Sequence, residues 1–291
     1  MKKIFILAGG YSNEREISLQ TAKSVFSELS KDKKYRVHIL EPNGELVNNL
    51  RKYKPDLVFN LLHGRYGEDG YVQAILEIEK IKYTHSGVLS SSLAMDKEAS
   101  KKIFSCNNIL TPKYLKYSFK NKISKKNLLL KLVKYLNFPV VIKPVNEGSS
   151  VNVYICNKKN LFQNLLKLKE YGEVLVEQYI PGREIQVAIL SEKILGAIEL
   201  KPKRKFYDYE AKYNPKAQTE HIIPINISKK KYNEVTNIAL KAHKLLRCRG
   251  VTRSDFRFYN NKFYLLETNT QPGMTSLSLV PEIAKYNNIT F

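Results

Sequence analysis

Short apolar runs alternate with amphipathic stretches along the first ninety residues of the chain. Residues 4–8 form a continuous apolar run that ends in Gly9-Gly10, and apolar positions then recur with helical spacing over residues 14–29. Such a run is typical of a buried strand, and the spacing that follows is typical of a helix. Further strand signals lie at residues 35–40 and 57–62, with a helix signal at residues 71–79. The pattern predicts a small parallel α/β unit.

The pattern changes after about residue 91. Helical periodicity predicts helices over residues 91–108, 125–136, 161–170 and 229–246. Short runs rich in β-branched and aromatic residues predict strands over residues 114–117, 140–143, 151–156, 174–178, 185–190, 194–200, 251–259 and 262–267. We therefore expect an α/β fold class with α+β C-terminal parts, in three domains at residues 1–95, 96–182 and 183–291. The third domain is expected to be built around an antiparallel sheet.

Composition narrows the class of protein. The chain has 291 residues, of which 43% are hydrophobic, as in globular proteins that bury a core. The apolar run behind Lys2 and Lys3 is too short for a signal peptide, and no run approaches the length of a membrane span. We expect a cytoplasmic protein with no membrane partner. Cys106, Cys156 and Cys248 are far apart and form no CxxC pair, which predicts reduced structural thiols.

The net charge of +22 is strongly basic. Such a charge allows a polyanionic partner, and a basic nucleic-acid-binding protein is one alternative. The lysines are scattered along the whole chain, however, and no nucleic-acid-binding motif accompanies them. Lysine-rich solvated surfaces give the same composition, so we predict no nucleic-acid partner.

A predicted hairpin near the C-terminus carries the first group of candidate functional residues. Asn260-Asn261 forms a favourable two-residue turn between two strand signals. Strand alternation predicts shared faces for Arg253, Asp255 and Arg257 on the first strand and for Leu265, Glu267 and Asn269 on the second. Two carboxylates and an amide oxygen that converge in this way suit Mg²⁺, whose remaining ligands are commonly substrate phosphates. An exposed cross-strand ion pair is the alternative.

Two upstream segments offer groups suited to a nucleotide. Lys143 ends an apolar strand, and a Gly-Ser-Ser turn begins five residues later, so an ammonium, backbone N–H groups and hydroxyls are available to phosphate oxygens. A polar surface hairpin is the alternative. Glu177 and Glu184 flank a Pro-Gly turn, where their carboxylates could accept hydrogen bonds from an amino group and ribose hydroxyls. A plain connector with solvated glutamates is the alternative there.

These segments, in this order, resemble the D-alanine–D-alanine ligases, ATP-grasp enzymes that join two D-alanines for the bacterial cell wall. The resemblance extends over nearly the whole chain. Its further motifs are Gly9-Gly10 with Glu14-Arg-Glu-Ile-Ser, His63-Gly with Gly67-Glu-Asp-Gly70, Tyr83-Thr84, Met95-Asp96-Lys97, the stretch from Phe206 to Tyr213, and Asn269-Thr-Gln-Pro-Gly-Met-Thr with Ser278-Leu279. The fold that it implies is an ATP-grasp fold preceded by a small parallel α/β domain.

The resemblance implies roles for the nucleotide and metal ligands. The residues that would bind ATP are Lys97, Lys143, Glu177, Tyr179, Ile180, Glu184, Phe206 and Leu266. Lys97 and Lys143 would contact phosphates, Glu177 would meet the adenine and Glu184 the ribose. Asp255, Glu267 and Asn269 would hold two magnesium ions, and manganese is the other metal that these ligands allow.

The resemblance also implies roles in substrate binding and catalysis. Glu14 would bind the ammonium of the first D-alanine near His63, and Ser149 and Tyr213 would close the site around Glu14. Arg253 and the backbone N–H of Gly273 would stabilise the oxyanion of the second step. The residues that would bind the second carboxylate are Lys212, Ser278 and Leu279. The segment that includes Phe206 and Tyr213 matches the closing loop of the family, and Tyr213 favours the dipeptide as product.

The chain departs from the family pattern at a few positions. Asn152 and His85 stand where glycines are usual, and Gln271 where a small residue is common. If position 152 needs a positive φ, Asn is the replacement that costs least. The chain stops at Phe291, where the family continues into one more helix, and we expect lowered stability from this. The alternatives are a ligase with D-lactate or D-serine as second substrate and a weakly active or nucleotide-binding homologue. The family is usually dimeric, so we expect a homodimer.

Overall fold

The computed structural model describes residues 1–120, 124–148, 152–201, 219–275 and 278–291. These residues form nine α-helices and twelve β-strands, which are arranged in three sheets. Within these ranges no helix combines the length and the apolar character that crossing a bilayer would require.

The first sheet is parallel and has the strand order β2-β1-β3. Its strands are β1 (Lys2–Leu7), β2 (Tyr35–Leu40) and β3 (Leu57–Asn60), and its helices are α1 (Arg15–Leu29), α2 (Leu46–Tyr53) and α3 (Tyr71–Ile78). Alternation along the central strand places Phe5 and Leu7 in a core with α2 and α3, whereas Ile6 packs with α1 on the other face. Both faces of β1 are therefore buried, which explains its continuous apolar run.

Two helices, α4 (Val88–Met95) and α5 (Lys97–Cys106), follow the first sheet. The expectation of one helix over residues 91–108 was therefore wrong. Asp96 interrupts the helix with an extended backbone (ψ 100°), and its side chain accepts hydrogen bonds from the N–H groups of Glu98 and Ala99. An Asp that caps a helix N-terminus in this way begins a new helix. The interruption places Lys97 in the first turn of α5.

The second sheet is antiparallel, with the order β4-β7-β5-β6. Its elements are β4 (Tyr114–Ser118), α6 (Lys125–Tyr135), β5 (Val140–Pro144), β6 (Tyr154–Cys156), α7 (Leu161–Lys167), a 3₁₀ turn (Lys169–Tyr171) and β7 (Glu173–Gln178). Leu128 and Leu132 of α6 pack with Leu161 of α7 and with Val140 and Val176 of the sheet. The opposite face of this sheet is available to line a cleft.

The third sheet is antiparallel, with the order β10-β9-β8-β11-β12. Its strands are β8 (Arg183–Leu190), β9 (Lys193–Lys201), β10 (Glu220–Ile222), β11 (Val251–Tyr259) and β12 (Lys262–Asn269), and its helices are α8 (Lys229–Leu245) and α9 (Leu279–Tyr286). Helix α8 packs against one face through Val235 and Ala239, and α9 covers part of the other through Ile283. The helices α2 and α9 and the three-residue strand β10 were not expected from the sequence.

A β-bulge interrupts the pairing of β11 with β12. Asp255 lies opposite Glu267, but the next residue, Phe256, lies opposite Leu265, so Leu266 is an extra residue on β12. The expectation that Leu265 shares a face with Glu267 was therefore wrong. Leu265 is fully buried in the core with Phe256, whereas Leu266 and Glu267 line a cleft. A bulge of this kind re-aims side chains.

Candidate active site

An open cleft lies between the second and third sheets. The strands that line it are β5 and β7 on one side and β8, β11 and β12 on the other. Its lining includes seven of the candidate nucleotide-binding residues together with Asp255, Arg257 and Glu267; the seven are Lys97, Lys143, Glu177, Tyr179, Ile180, Glu184 and Leu266. The structure therefore brings seven of the eight expected nucleotide-binding residues to one cleft.

Glu177 lies at the centre of a buried charge cluster. Lys143 Nζ is 2.9 Å from Glu177 Oε2, and Lys101 Nζ is 3.0 Å from Glu177 Oε1. The geometry follows from the register, because Glu177 pairs with Val141 and Lys143 lies two residues further along the same face of β5. Burial alone would raise the pKa of the Glu177 carboxyl, but the charges of Lys101 and Lys143 outweigh burial and lower that pKa. Glu177 is therefore ionised at neutral pH.

Glu184 is held by a second buried cation. Arg257 places its guanidinium 3.1 Å from Glu184 Oε2 and donates a hydrogen bond to the carbonyl of Gly182 at 3.1 Å. The register brings the two together, since Arg257 on β11 lies opposite Glu184 on β8. Position 182 requires glycine for two reasons: its φ is +103°, and a Cβ there would lie 2.3 Å from the carbonyl oxygen of Phe258. The Pro-Gly turn thus fixes the start of β8 against β11.

Lys97 joins the two sides of the cleft from the start of α5. Its ammonium lies 3.5 Å from Glu267 Oε2 and donates a hydrogen bond to the carbonyl oxygen of Glu147. Its backbone N–H donates to the carbonyl of Val145 at 3.1 Å. The ammonium of Lys97 therefore lies between the metal-type carboxylates of the third sheet and the end of β5.

The acidic pair of the hairpin is held by cations. Asp255 and Glu267 are opposite one another on β11 and β12, where two like charges repel. Arg253 offsets this repulsion by donating two hydrogen bonds to Asp255, at 2.8 and 3.0 Å, while Lys97 lies near Glu267. Asn269 pairs with Arg253, and its amide lies 3.5 Å from Asp255 Oδ2. Two carboxylates and one amide thus meet at the end of the hairpin.

This donor set fits a hard divalent cation that also binds a phosphate. In the described part of the chain, no group of three or more His, Cys, Asp and Glu side chains could hold a metal ion. Asp255 and Glu267 supply only two carboxylates, so further ligands would have to be the Asn269 amide oxygen, water or substrate phosphates. Mg²⁺ prefers such mixed sites to cages built from protein ligands alone.

Glu14 lies where the first sheet meets the glycine turn that follows β5. The side chain is buried, and Cβ atoms built on Gly64 and Gly148 would lie 2.9 and 3.2 Å from its Oε2. Glycine at these positions therefore lets both backbones approach the carboxylate closely. The structure thus places Glu14 beside the end of β3 and beside the Lys143 segment.

His63 is buried close to Glu14. Its Nδ1 lies 3.1 Å from Glu68 Oε1, and its Nε2 lies 3.5 Å from Thr21 Oγ1. Burial disfavours the charged ring, but the hydrogen bond and charge of Glu68, together with the charge of Glu14, outweigh it and raise the pKa of His63. Because of its contact with Glu68, the His63 ring holds its proton more tightly than an ordinary histidine does.

The turn after β12 contains the remaining described candidates. Ser278 Oγ accepts a hydrogen bond from the backbone N–H of Thr275 at 2.9 Å and lies 2.9 Å from its hydroxyl. A Cβ on Gly273 would lie 3.0 Å from Ser278 Oγ, so glycine allows this close approach. Leu279, the first residue of α9, buries its side chain in the core with Val280 and Ile283, so it offers its backbone and not its side chain to this turn.

Gln271 connects this turn to the first sheet. Its Oε1 accepts a hydrogen bond from Asn60 Nδ2 at 2.8 Å, and its Nε2 donates to the carbonyl of Leu62. The long side chain thus satisfies two buried groups that a small residue could not reach.

The two other residues that stand where glycine is usual in the family adopt a left-handed backbone, with φ of +57° at Asn152 and +69° at His85.

Four expected site residues lie outside the described ranges, namely Ser149, Phe206, Lys212 and Tyr213. Conversely, three described residues contact the site and were given no role from the sequence. Glu68 belongs to the Gly-Glu-Asp-Gly motif, and Arg257 was expected on the face of Asp255, so both carried a signal. Lys101 carried only a weak signal, its position one helical turn after Lys97.

Comparisons with known proteins agree with the geometry. The family models for the D-ala D-ala ligase N-terminus and C-terminus match residues 41–86 and 103–291. A D-alanine–D-alanine ligase of Pelagibacter ubique is 62% identical over 290 residues, covering 100% of this chain and 94% of that protein. The ligase of Zymomonas mobilis is 43% identical, with coverages of 100% and 90%.

Solved structures show the same fold. A D-alanine–D-alanine ligase from Bacillus anthracis superposes with a TM-score of 0.88 at 34% identity, covering 100% of this chain and 93% of that chain. A structure of that enzyme complexed with ATP has a TM-score of 0.85 at 31% identity, with the same coverages. The expected ATP-grasp fold with a parallel N-terminal sheet is thereby confirmed. With both family models matched and relatives aligned along its whole length, the chain is a member of the D-alanine–D-alanine ligase family.

Proposed function

We propose that the chain catalyses the ATP-dependent ligation of two D-alanines to D-alanyl-D-alanine, for peptidoglycan synthesis. One observation carries this function: Lys97, Lys143 and the Asp255–Glu267 pair face one cleft, and Glu14 lies beside its glycine turn. Phosphate-binding cations, metal-type carboxylates and an ammonium-binding carboxylate are the groups that activation of an amino acid by ATP requires. The 62% identity to a D-alanine–D-alanine ligase supports the choice of substrate.

The first step activates a carboxylate. A carboxylate oxygen of the first D-alanine attacks the γ-phosphorus of ATP, the bond from γ-phosphorus to the bridging oxygen breaks with ADP as the leaving group, and D-alanyl phosphate is formed. Such transfers depend on positioning and on charge stabilisation. In our proposal Lys97 and Lys143 bind the phosphate oxygens, while Glu177 and Glu184 bind the adenine amino group and the ribose. Asp255, Glu267 and Asn269 would hold Mg²⁺, which supplies charge neutralisation at the phosphates.

The first D-alanine is proposed to bind with its ammonium at Glu14. The buried carboxylate favours a cation over a neutral group, because a nearby opposite charge compensates the loss of water. His63, held by Glu68, lies at the same end of the site. Ser149 and Tyr213 are proposed to hydrogen-bond with Glu14 and so to close this part of the site.

The second step forms the peptide bond. The amine of the second D-alanine attacks the acyl carbon, the acyl–oxygen bond breaks, and inorganic phosphate leaves with the proton that the amine loses. Oxyanion stabilisation needs donors that are already in place. Arg253, oriented by its two hydrogen bonds to Asp255, and the N–H of Gly273 are proposed as these donors. Lys212, Ser278 and the Leu279 backbone are proposed to bind the second carboxylate.

Phosphate release from ATP tests the proposal directly. The purified chain should release phosphate when D-alanine is present and form D-alanyl-D-alanine in equal amount, while L-alanine gives no product. D-lactate and D-serine, each with D-alanine as first substrate, test the second position. Release that does not depend on D-alanine would reject the function. The resemblance also supports a homodimer that works in the cytoplasm, and light scattering of the purified protein would measure its mass.

A further inference from the structure

Lys101 is a buried charged residue that has no role in the reaction proposed above. It lies on α5, its side chain is fully buried, and its ammonium is 3.0 Å from Glu177 Oε1. It lies 5.8 Å from the ring centroid of Tyr114, the residue that pairs with Glu177 on β4. Burying an ammonium is costly, so its contacts need an explanation.

The two lysines that contact Glu177 differ in their access to the cleft. Lys143 and Glu177 both line it, whereas Lys101 does not. Lys143 binds Oε2 and Lys101 binds Oε1, so each carboxylate oxygen has its own cation. Among the described residues that line the cleft, Glu177 is therefore the one through which Lys101 acts on the nucleotide site.

We propose that Lys101 is a positioning residue that fixes the Glu177 carboxylate for recognition of the adenine amino group. The inference rests on the proposed function, in which Glu177 accepts that hydrogen bond and Lys143 binds phosphate. A lysine engaged with phosphate contributes less to holding Glu177. Lys101, which lies outside the cleft, keeps the carboxylate in place throughout.

A fixed carboxylate gives the site nucleotide specificity. Adenine presents an amino group where guanine presents a carbonyl oxygen. An ionised carboxylate accepts a hydrogen bond from the amino group but repels the carbonyl oxygen. If Glu177 could turn away or take up a proton, this repulsion would weaken. Lys101 thus contributes to the preference for ATP over GTP.

The test is the substitution Lys101→Met, which keeps the length of the side chain and removes its charge. The matched control is Lys102→Met, the next residue of α5, which is exposed and pairs with Glu98 at 2.8 Å. Phosphate release is measured with ATP and with GTP at saturating D-alanine. We expect Lys101→Met to raise KM for ATP at least tenfold and to reduce the ATP-to-GTP ratio of kcat/KM at least tenfold. KM for D-alanine should stay within threefold of the unmodified chain, and Lys102→Met should match that chain throughout.

A purely structural ion pair would give a different result. In that case Lys101→Met would shift the thermal midpoint and leave the ATP-to-GTP ratio unchanged, which would overturn the proposal. If Lys101→Met does not fold, Glu177→Gln is compared with the double variant Lys101→Met/Glu177→Gln. Equal KM values and equal nucleotide ratios in these two proteins support action through Glu177, whereas a further tenfold loss in the double variant overturns it. Absence of D-alanine-dependent activity in the unmodified chain would instead reject the proposed function.

Discussion

His85 should make the stability of the protein sensitive to mild acid. The ring is buried, and neither ring nitrogen makes a hydrogen bond of good geometry with the described residues, although an interaction with the Asn60 backbone raises the pKa of the ring against the larger effect of burial. Burial lowers the pKa of His85 to about 3, with a smaller contribution from the charge of His63. The folded pKa is below the unfolded value of about 6.5, so the stabilisation is complete above pH 6.5 and is lost as the pH falls towards 3.

The magnitude follows from proton linkage. Between pH 7 and pH 5 the unfolded histidine goes from about one-quarter protonated to almost fully protonated, while the folded ring, with a pKa of about 3, gains almost no proton. Integration over this interval gives a loss of about 2 kcal/mol in the free energy of unfolding. His85→Gly removes the titrating ring and also suits the φ of +69° at this position. Loss of the ring also removes its edge contact with Phe59, so the prediction concerns the pH dependence and not the stability at pH 7.

Urea unfolding at pH 7 and pH 5, followed by tyrosine fluorescence, measures the effect. The unmodified chain should lose about 2 kcal/mol more than His85→Gly over this interval. His38→Asn, which removes an exposed histidine, should behave like the unmodified chain. NMR titration of the His85 ring should show no protonation down to pH 5. Equal losses in the unmodified chain and in His85→Gly would refute the reasoning.

Three further predictions concern the site and the neighbouring backbone. Arg253→Ala should leave ATP affinity within a few-fold, measured by calorimetry, and lower dipeptide formation by at least about a hundredfold, as removal of an oxyanion donor does; full activity would contradict its assignment. Glu267→Gln should raise the Mg²⁺ concentration needed for half-maximal phosphate release about tenfold or more, since one of two anionic ligands is lost, and an unchanged requirement would remove Glu267 from the metal site. Asn152→Ala should lower the free energy of unfolding by about 1–3 kcal/mol, because it strains a φ of +57° and removes hydrogen bonds to Tyr171 and Tyr154, whereas Asn152→Gly should lose less.

Local periodicity predicted most of the helices and strands, because the residues that they bury recur at regular spacing along the sequence. The central strand of the first sheet and the hairpin strand β11 were expected from their apolar runs and alternation, and both were found. The positive φ that Asn152 was expected to tolerate is present. Elements with little local signal were missed, among them the three-residue strand β10, which depends on pairing with β9.

The candidate site was less predictable than the fold. Alternation alone placed Leu265 beside Glu267, and only the pairing of the two strands reveals the extra residue at Leu266. Likewise, only the weak signal of helical spacing from Lys97 distinguishes the buried Lys101 from the exposed Lys102, because the partner of Lys101, Glu177, lies on a distant strand, β7. The contacts that tune a site come from distant segments, so a single sequence carries little trace of them.

The contacts of the Gln271 side chain lead us to expect a linked change at two positions among members of this family. Its bonds to Asn60 and to the Leu62 carbonyl cross from the turn after β12 to the end of β3. A relative with a small residue at this position must satisfy those two buried groups differently. Positions 60 and 271 should therefore change together in lineages of the family. A chimera that combines the first sheet of this chain with the C-terminal part of a relative that has a small residue there should be less stable than either parent, and restoring glutamine should recover the loss.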